Sequence, residues 1–304
     1  MNERHVPVLA DEVLLQVPRA GLVVDGTVGD GGHAELILAA HPDCTLIGID
    51  RDPISLKRAA GQLKPFGKRY SGRCGSYGDL LTLLSEKELQ ATRFVLLDLG
   101  YSSAQIDNPD RGLSFMADGV LDMRFNQSDM HLTTAGELVN RASPTELERI
   151  LRSYGEEYQS KKIVRTIVER RRKQRIRTTQ ELAELIKSVV HVKPGSIHPA
   201  TRTFQALRIA VNHELEELEY FVDQVVPSLP MGCVVAIIAF HSLEDRIVKR
   251  GFAKLTKLGQ NAFGERVTPT ATALTKKPIT ASAQEVIENS RSRSAKLRVV
   301  RLGK

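Results

Sequence analysis

Between Leu22 and about Gln105, short apolar runs alternate with helix-length amphipathic segments. That rhythm predicts a parallel α/β sheet. Strands are expected at LVVDG (22–26), TLIGID (45–50), the weaker KRYSGRC (68–74) and RFVLLDLG (93–100). Asp25, Asp50 and Asp98 close three of them. In open α/β sheets ligands bind beyond the carboxyl ends of the strands, so these three acids are expected to point into one crevice.

From about Asp107 to Glu214 the period becomes helical. SPTELERILRSYG offers Ser143 as N-cap, Pro144 at the first helical position, Glu146 to complete a capping box and Gly155 as a stop. TTQELAELIKSVV repeats the device with Thr178 and Glu181, and places Leu182, Leu185, Ile186, Val189 and Val190 on one face. A third helix is expected after HPATRTF, with its stripe at Leu207, Val211, Leu215, Leu218, Val222 and Val225. GCVVAIIAF (232–240) is almost unbroken apolar sequence, as a central parallel strand covered on both faces requires. The expected architecture is an α/β domain over 1–106 and 215–304, interrupted by an all-helical insert over 107–214 and closed by a terminal strand KLRVVRL. Residues 259–280, rich in Thr, Ala and Lys, read as a mobile loop, and no internal repeat is visible.

Composition narrows the class. Of 304 residues, 41% are hydrophobic and 26% charged, which suits a globular chain with a real core. The start MNERHVPVLADEV lacks the basic and apolar regions of a signal peptide, and no apolar run reaches the ~20 residues of a membrane span, so a cytoplasmic location is expected. Cys44, Cys74 and Cys233 are widely spaced, which suggests neither a disulfide framework nor a metal site. A net charge of +7 favours a polyanionic partner such as nucleic acid.

The candidate chemistry begins at DGTVGDGGH (25–33), a glycine-rich turn that enters the helix AELILAA. Such a turn lets a ligand approach the backbone closely. It is not a phosphate-cradling P-loop, because GxxxxGK[ST] is absent. Asp50 stands about 20 residues beyond it, where a carboxylate accepts ribose hydroxyls. NAD and S-adenosylmethionine both present that ribose. Asp25, placed to face the positive end of a methionine moiety, and the spacing GxxGxGG in place of GxGxxG favour the second. Tyr77 is positioned either to stack on adenine or to fill the core, and Asp98 and Gln105 bracket the turn LLDLGYSSAQ where substrate would meet cofactor. A nicotinamide oxidoreductase and an RNA-binding assembly factor without catalysis are the competing classes.

Taken together, HVPVLADEV, DGTVGDGGH, GIDRDP, LLDLGYSSAQ, RGLSFMADGVLDMR, HPATRTFQALRIAVN, FHSLEDRIVK and RSRSAKLR resemble, in order and along nearly the whole chain, the ribosomal RNA small-subunit methyltransferase H family, also called MraW. The resemblance implies a Rossmann-like class I methyltransferase domain with a helical insert, S-adenosylmethionine as cofactor, and methylation of N4 of a cytidine in the decoding region of bacterial 16S ribosomal RNA. It implies cofactor contacts at Gly31, Gly32, His33, Asp50, Tyr77, Asp98 and Gln105. Tyr101 and Ala104, Val120, Ala239 and Tyr77 depart from the family's usual residues, Tyr77 standing where Phe is frequent.

Methyl transfer needs a nucleophile in line with the methyl carbon, and no metal. The exocyclic amine of cytosine is a weak nucleophile, so hydrogen-bond acceptors on its N–H groups would help. The Asn/Asp-Pro-Pro-aromatic motif used by many amino-methyltransferases is replaced here by DLGYSS. Asp98 is the candidate acceptor, with Ser102 as helper, and His241 with Ser242 is placed to orient the base. The run ERRRKQRIR, including Arg170, Arg171, Arg172 and Lys173, and the run RSRSAKLRVVR (291–301) are candidate phosphate contacts. The expected partner is 16S ribosomal RNA within the small subunit, with no membrane and no DNA.

Overall fold

The computed structural model describes residues 7–193, 195, 197–260 and 266–303. His5 and Val6 of the first motif, and 261–265 of the expected loop, lie outside the described residues. The chain divides into two compact units, Met1–Gly100 with Leu215–Lys304, and Tyr101–Glu214. The first junction falls after Gly100, so Ser102 and Gln105, expected in the sheet-bearing part, belong to the second unit.

In the first unit the strands are Ala20–Asp25 (β1), Asp43–Asp50 (β2), Tyr70–Cys74 (β3), Thr92–Asp98 (β4), Val234–Ala239 (β5), Gly259–Gln260 (β6), Arg266–Val267 (β7), Ala271–Ala273 (β8) and Lys296–Leu302 (β9). Seven of them form one sheet in the order β3-β2-β1-β4-β5-β9-β8. β1 to β5 run parallel, and β9 runs antiparallel to both its neighbours. The unbroken apolar strands follow from burial on both faces, since successive side chains point to opposite sides. Val24, Ile49, Leu97 and Ile237 enter one core with Leu218, Phe221 and Phe252. Val23, Leu46, Leu96 and Ile238 enter the other with Ile37, Leu38 and Leu63. The chain steps outward through β1, β2 and β3, then returns to the far side of β1 with β4. That reversal puts the ends of β1 and β4 at a topological switch point.

Two expectations for this unit are corrected. Lys68 and Arg69 belong to a 3-10 turn and not to β3, because Arg69 reaches the carbonyls of Leu38 and His41 and closes the preceding layer. The segment 259–280, read as a loop, contains β8 and a short ribbon of β6 with β7. β8 is held by backbone bonds to β9, which leave no signature in composition.

The second unit is helical around one core that includes Leu147, Ile150, Ile163, Ile167, Leu182, Ile186, Phe204 and Leu207. The capping box at Thr178 and Glu181 forms. At Ser143 only half of it does: Ser143 accepts the Glu146 N–H, while the Glu146 carboxylate turns to Arg149 at 2.8 Å. Gly155 is not the stop. The left-handed residue that ends this helix is Glu156, φ 47, whereas a Cβ on Gly155 would stand 2.6 Å from the Arg202 carbonyl oxygen, so glycine there permits a close helix crossing. The expected third helix is also broken, at His213 with φ 53. Its stripe divides there: Leu207 and Val211 enter the core of the second unit, and Leu218, Val222 and Val225 that of the first. The motif RGLSFMADGVLDMR is clamped by Asn212, whose side chain accepts the Phe125 N–H and donates to the Met123 carbonyl, both at 2.8 Å.

Candidate cofactor and methyl-transfer site

The loop after β1 is held by its own backbone. The Gly26 N–H donates to the Leu96 carbonyl, Val28 to Ile49, and Gly31 to Val28. The Gly29 N–H donates to Asp50 Oδ2 at 2.8 Å, and the Asp52 N–H to Asp50 Oδ1 at 2.8 Å. Asp50 therefore ties the β1 loop to the start of the next helix, where Asp52 caps Pro53–Gln62 through the Ile54 N–H. Each Asp50 oxygen keeps a further lone pair for a ribose hydroxyl. Gly31 adopts φ 96 and begins the helix Gly32–Ala40, a conformation that favours glycine. Gly26 and Gly32 serve packing: a Cβ would meet Leu97 at 2.4 Å on the first and Pro7 at 2.9 Å on the second.

The ends of β1 and β4 are joined by a residue that sequence reasoning passed over. Thr27 donates its N–H to Asp25 Oδ1 at 3.2 Å, and its hydroxyl oxygen accepts the Asp98 N–H at 2.7 Å. Its position between Asp25 and the first loop glycines was the available signal. His33, in the first turn of the helix and 7% exposed, sets Nε2 3.6 Å from Asp98 Oδ2. That separation exceeds a hydrogen bond. His33 Nε2 and Asp98 Oδ1 are both buried without a hydrogen-bond partner, and buried polar atoms are ordinarily satisfied. A polar ligand seated at the switch point would satisfy them.

Burial pushes the Asp25 carboxyl up to about 7; His33 and the Thr27 N–H pull it back, and Asp98 and Asp50 add to the rise. Burial likewise pushes Asp50 up to about 6, against the N–H groups of Asp52 and Gly29. A cation draws such acids back toward ionisation. The site thus suits a ligand carrying positive charge, and it opposes a dinucleotide, whose pyrophosphate would face the acids that close β1, β2 and β4.

Tyr77 is buried and meets Phe221 edge to face, with centroids 5.5 Å apart. Its turn is anchored by Glu217, which accepts the Gly78 N–H at 3.3 Å and pairs with Arg51. His241 caps the helix Ser242–Thr256, accepting the Glu244 N–H on Nδ1, with Nε2 3.1 Å from Glu244 Oε1. In the second unit Ser102 and Gln105 bond each other, the Ser102 N–H to Gln105 Oε1 at 2.9 Å and the Gln105 N–H to Ser102 Oγ at 3.3 Å. The basic run ends the helix Ser160–Lys173. Arg172 and Lys173 are exposed and Arg170 bonds Gln174. Arg171 instead donates to the carbonyls of Val139 and Ala142 at 2.7 and 2.8 Å, closing the end of a neighbouring helix. Among the described residues no helix is long and apolar enough to cross a membrane, and no group of three or more His, Cys, Asp or Glu is arranged to hold a metal ion.

The sheet order, with its single antiparallel strand set between two others, and the acids at the ends of β1, β2 and β4 define a Rossmann-like class I methyltransferase. The chain belongs to the MraW methylase family, whose family model matches residues 2–302. The methyl donor of this fold and family is S-adenosylmethionine. The chain is 44% identical over 307 residues to a ribosomal RNA small subunit methyltransferase H of Oleidesulfovibrio alaskensis, covering 97% of this chain and 94% of that protein. It is 42% identical over 301 residues to the protein of the same name from Persephonella marina, covering 98% of each. Among solved structures, an rRNA methylase from Streptococcus thermophilus aligns with 97% of this chain and 94% of its own at 10% identity and a TM-score of 0.38.

Proposed function

We propose that this chain methylates N4 of a cytidine in the decoding region of bacterial 16S ribosomal RNA, acting in the cytoplasm on the small subunit. The observation that carries the reading is at the switch point, where His33 Nε2 approaches Asp98 Oδ2 to 3.6 Å while His33 Nε2 and Asp98 Oδ1 are buried without a hydrogen-bond partner. S-adenosylmethionine supplies an electrophilic methyl group with its own leaving group. Asp50 would hold the ribose hydroxyls, Asp25 would face the cationic end of the donor, and the Gly31–His33 turn would carry the remaining contacts. Asp98, fixed through its N–H by Thr27, would accept an N–H of the cytosine amine, concentrating the lone pair on nitrogen and stabilising the charge that develops there. Ser102, Gln105 and His241 complete the proposed set, His241 by fixing the start of its helix beside the base. The small-subunit substrate is supported by the names of the relatives, and the cytidine N4 position by the family resemblance of the motifs.

The test is transfer of labelled methyl to naked 16S RNA and to small subunits lacking the modification, followed by digestion to nucleosides. Label on N4 of cytidine in the subunit reaction is expected. A base in folded RNA must be unstacked, at a cost of a few kcal/mol, so subunits that already expose it should be preferred. Label on carbon 5, on a ribose hydroxyl or on protein would overturn the assignment, and equal labelling of naked RNA would overturn the preference for the particle.

A further inference from the structure

The backbone ladder between β1 and β4 stops one step short of Asp98. Asp25 pairs with Leu96, and the Gly26 N–H donates to the Leu96 carbonyl at 2.9 Å. A parallel ladder repeats at even spacing, so its next bond would run from the Asp98 N–H to the Gly26 carbonyl. That N–H donates instead to the Thr27 hydroxyl oxygen at 2.7 Å. On its other side β4 stays in the sheet, with Asp98 paired to Ile238 and the Leu99 N–H donating to the Ile238 carbonyl at 3.1 Å. Toward β1, then, Asp98 is set by a side chain of the loop and not by a strand. The same residue donates its own N–H to Asp25 Oδ1 at 3.2 Å. Thr27 thus bonds the last residue of β1 through its backbone and the last residue of β4 through its hydroxyl.

We propose that Thr27 is a positioning residue for methyl transfer, its hydroxyl aiming the Asp98 carboxylate and its N–H tying that aim to the donor site at Asp25. The inference rests on the acceptor role proposed above for Asp98. A carboxylate on the last residue of a strand moves with its own backbone, and a displacement of about 1 Å at a reacting group costs on the order of 100-fold in rate. A hydroxyl reaching across from the loop holds that backbone where the ladder no longer does. Thr27 acts in this way through Asp98, and not on the methyl group or the amine.

The experiment removes the hydroxyl and keeps the rest. Thr27→Val preserves the side chain's shape and the N–H to Asp25, Thr27→Ala is a second hydroxyl-free variant should the first not fold, and Thr27→Ser restores the acceptor. Thr92→Val is the control: at the other end of β4 the Thr92 hydroxyl donates to the Glu88 carbonyl at 2.9 Å, so this variant loses a hydroxyl bond from the same strand away from the site. These proteins, Asp98→Asn and the double variant Thr27→Val/Asp98→Asn are measured for kcat on saturating small subunits lacking the modification, for S-adenosylmethionine affinity and for melting temperature. The hydroxyl-free variant should lower kcat on the order of 10- to 100-fold while cofactor affinity stays within a few-fold, and Thr27→Ser should recover most of the rate. Thr92→Val should melt lower at unchanged kcat. In the Asp98→Asn background the loss of the Thr27 hydroxyl should add little, because residues that act as a unit are not additive. Wild-type kcat in a folded hydroxyl-free variant overturns the inference, as do losses that multiply in the double variant or an equal loss of kcat in Thr92→Val. If the wild-type chain labels an atom other than cytidine N4, the functional reading falls while the double-variant comparison still decides Thr27. If Asp98→Asn keeps wild-type kcat, or the wild-type chain transfers no methyl group, the role of Asp98 and this inference fall together.

Discussion

His33 Nε2 lies 3.6 Å from Asp98 Oδ2, joining the first turn after β1 to the last residue of β4 across the switch point. Neither residue gains a hydrogen bond from the approach, and each keeps a buried polar atom without a partner. An arrangement of that kind costs stability in the empty protein and is repaid only when a ligand supplies the missing partner.

If Asp98 accepts the amine proton's hydrogen bond, Asp98→Asn should lower kcat by about 100- to 1000-fold, the range found when one transition-state partner is removed. Cofactor affinity should fall far less. Single-turnover rates and calorimetry separate the two effects. A loss confined to cofactor affinity would restrict Asp98 to holding the donor.

Asp50 has two duties. Asp50→Ala should weaken S-adenosylmethionine binding by about one to two orders of magnitude, corresponding to roughly 1.5 to 3 kcal/mol for a charge-assisted ribose bond. It also strands the N–H groups of Gly29 and Asp52, so the melting temperature should drop. Asp50→Asn, which retains one acceptor oxygen, should recover part of the melting temperature. Unchanged affinity in a folded Ala variant would remove Asp50 from the site.

The raised carboxyls make the empty protein sensitive to pH. The Asp25 carboxyl moves by burial from an ordinary 3.8 to about 7 in the folded protein. Between those values the folded state binds more protons than the unfolded one, so the stability contributed by this group is present below 3.8 and is lost as pH rises through about 7. Melting of the cofactor-free protein should therefore shift downward between pH 5 and about 7.5, and Asp25→Asn should flatten the shift. A cationic donor favours the ionised acid, so its binding should release protons and tighten with pH. Calorimetry in buffers of different ionisation enthalpy measures the release, and proton uptake on binding would contradict the assignment of Asp25.

The basic run should divide by residue. Arg172→Ala with Lys173→Ala should weaken RNA binding and reduce its salt slope by about 0.7 to 0.9 for each phosphate no longer neutralised, with melting unchanged. Arg171→Ala should instead lower the melting temperature, because the carbonyls of Val139 and Ala142 lose their donor. A salt slope that stays the same in the first variant would make those two residues a solvated face.

Much of this protein is legible in its order of residues. Strand and helix periods, the caps at Thr178 and Ser143, and the acids closing three strands depend on neighbours a few positions away. They follow from local geometry and from the need to bury one or both faces of an element. What tertiary structure alone decided depends on partners far along the chain. Gly155 is glycine because Arg202 crosses it, and the long apolar stripe divides at His213 because its two halves join different cores. Thr27 locks Asp98 from 71 positions away. A charge run is the clearest case: Arg171 differs from Arg172 only through where packing carries each side chain, and charge in a sequence has no direction until a fold supplies it.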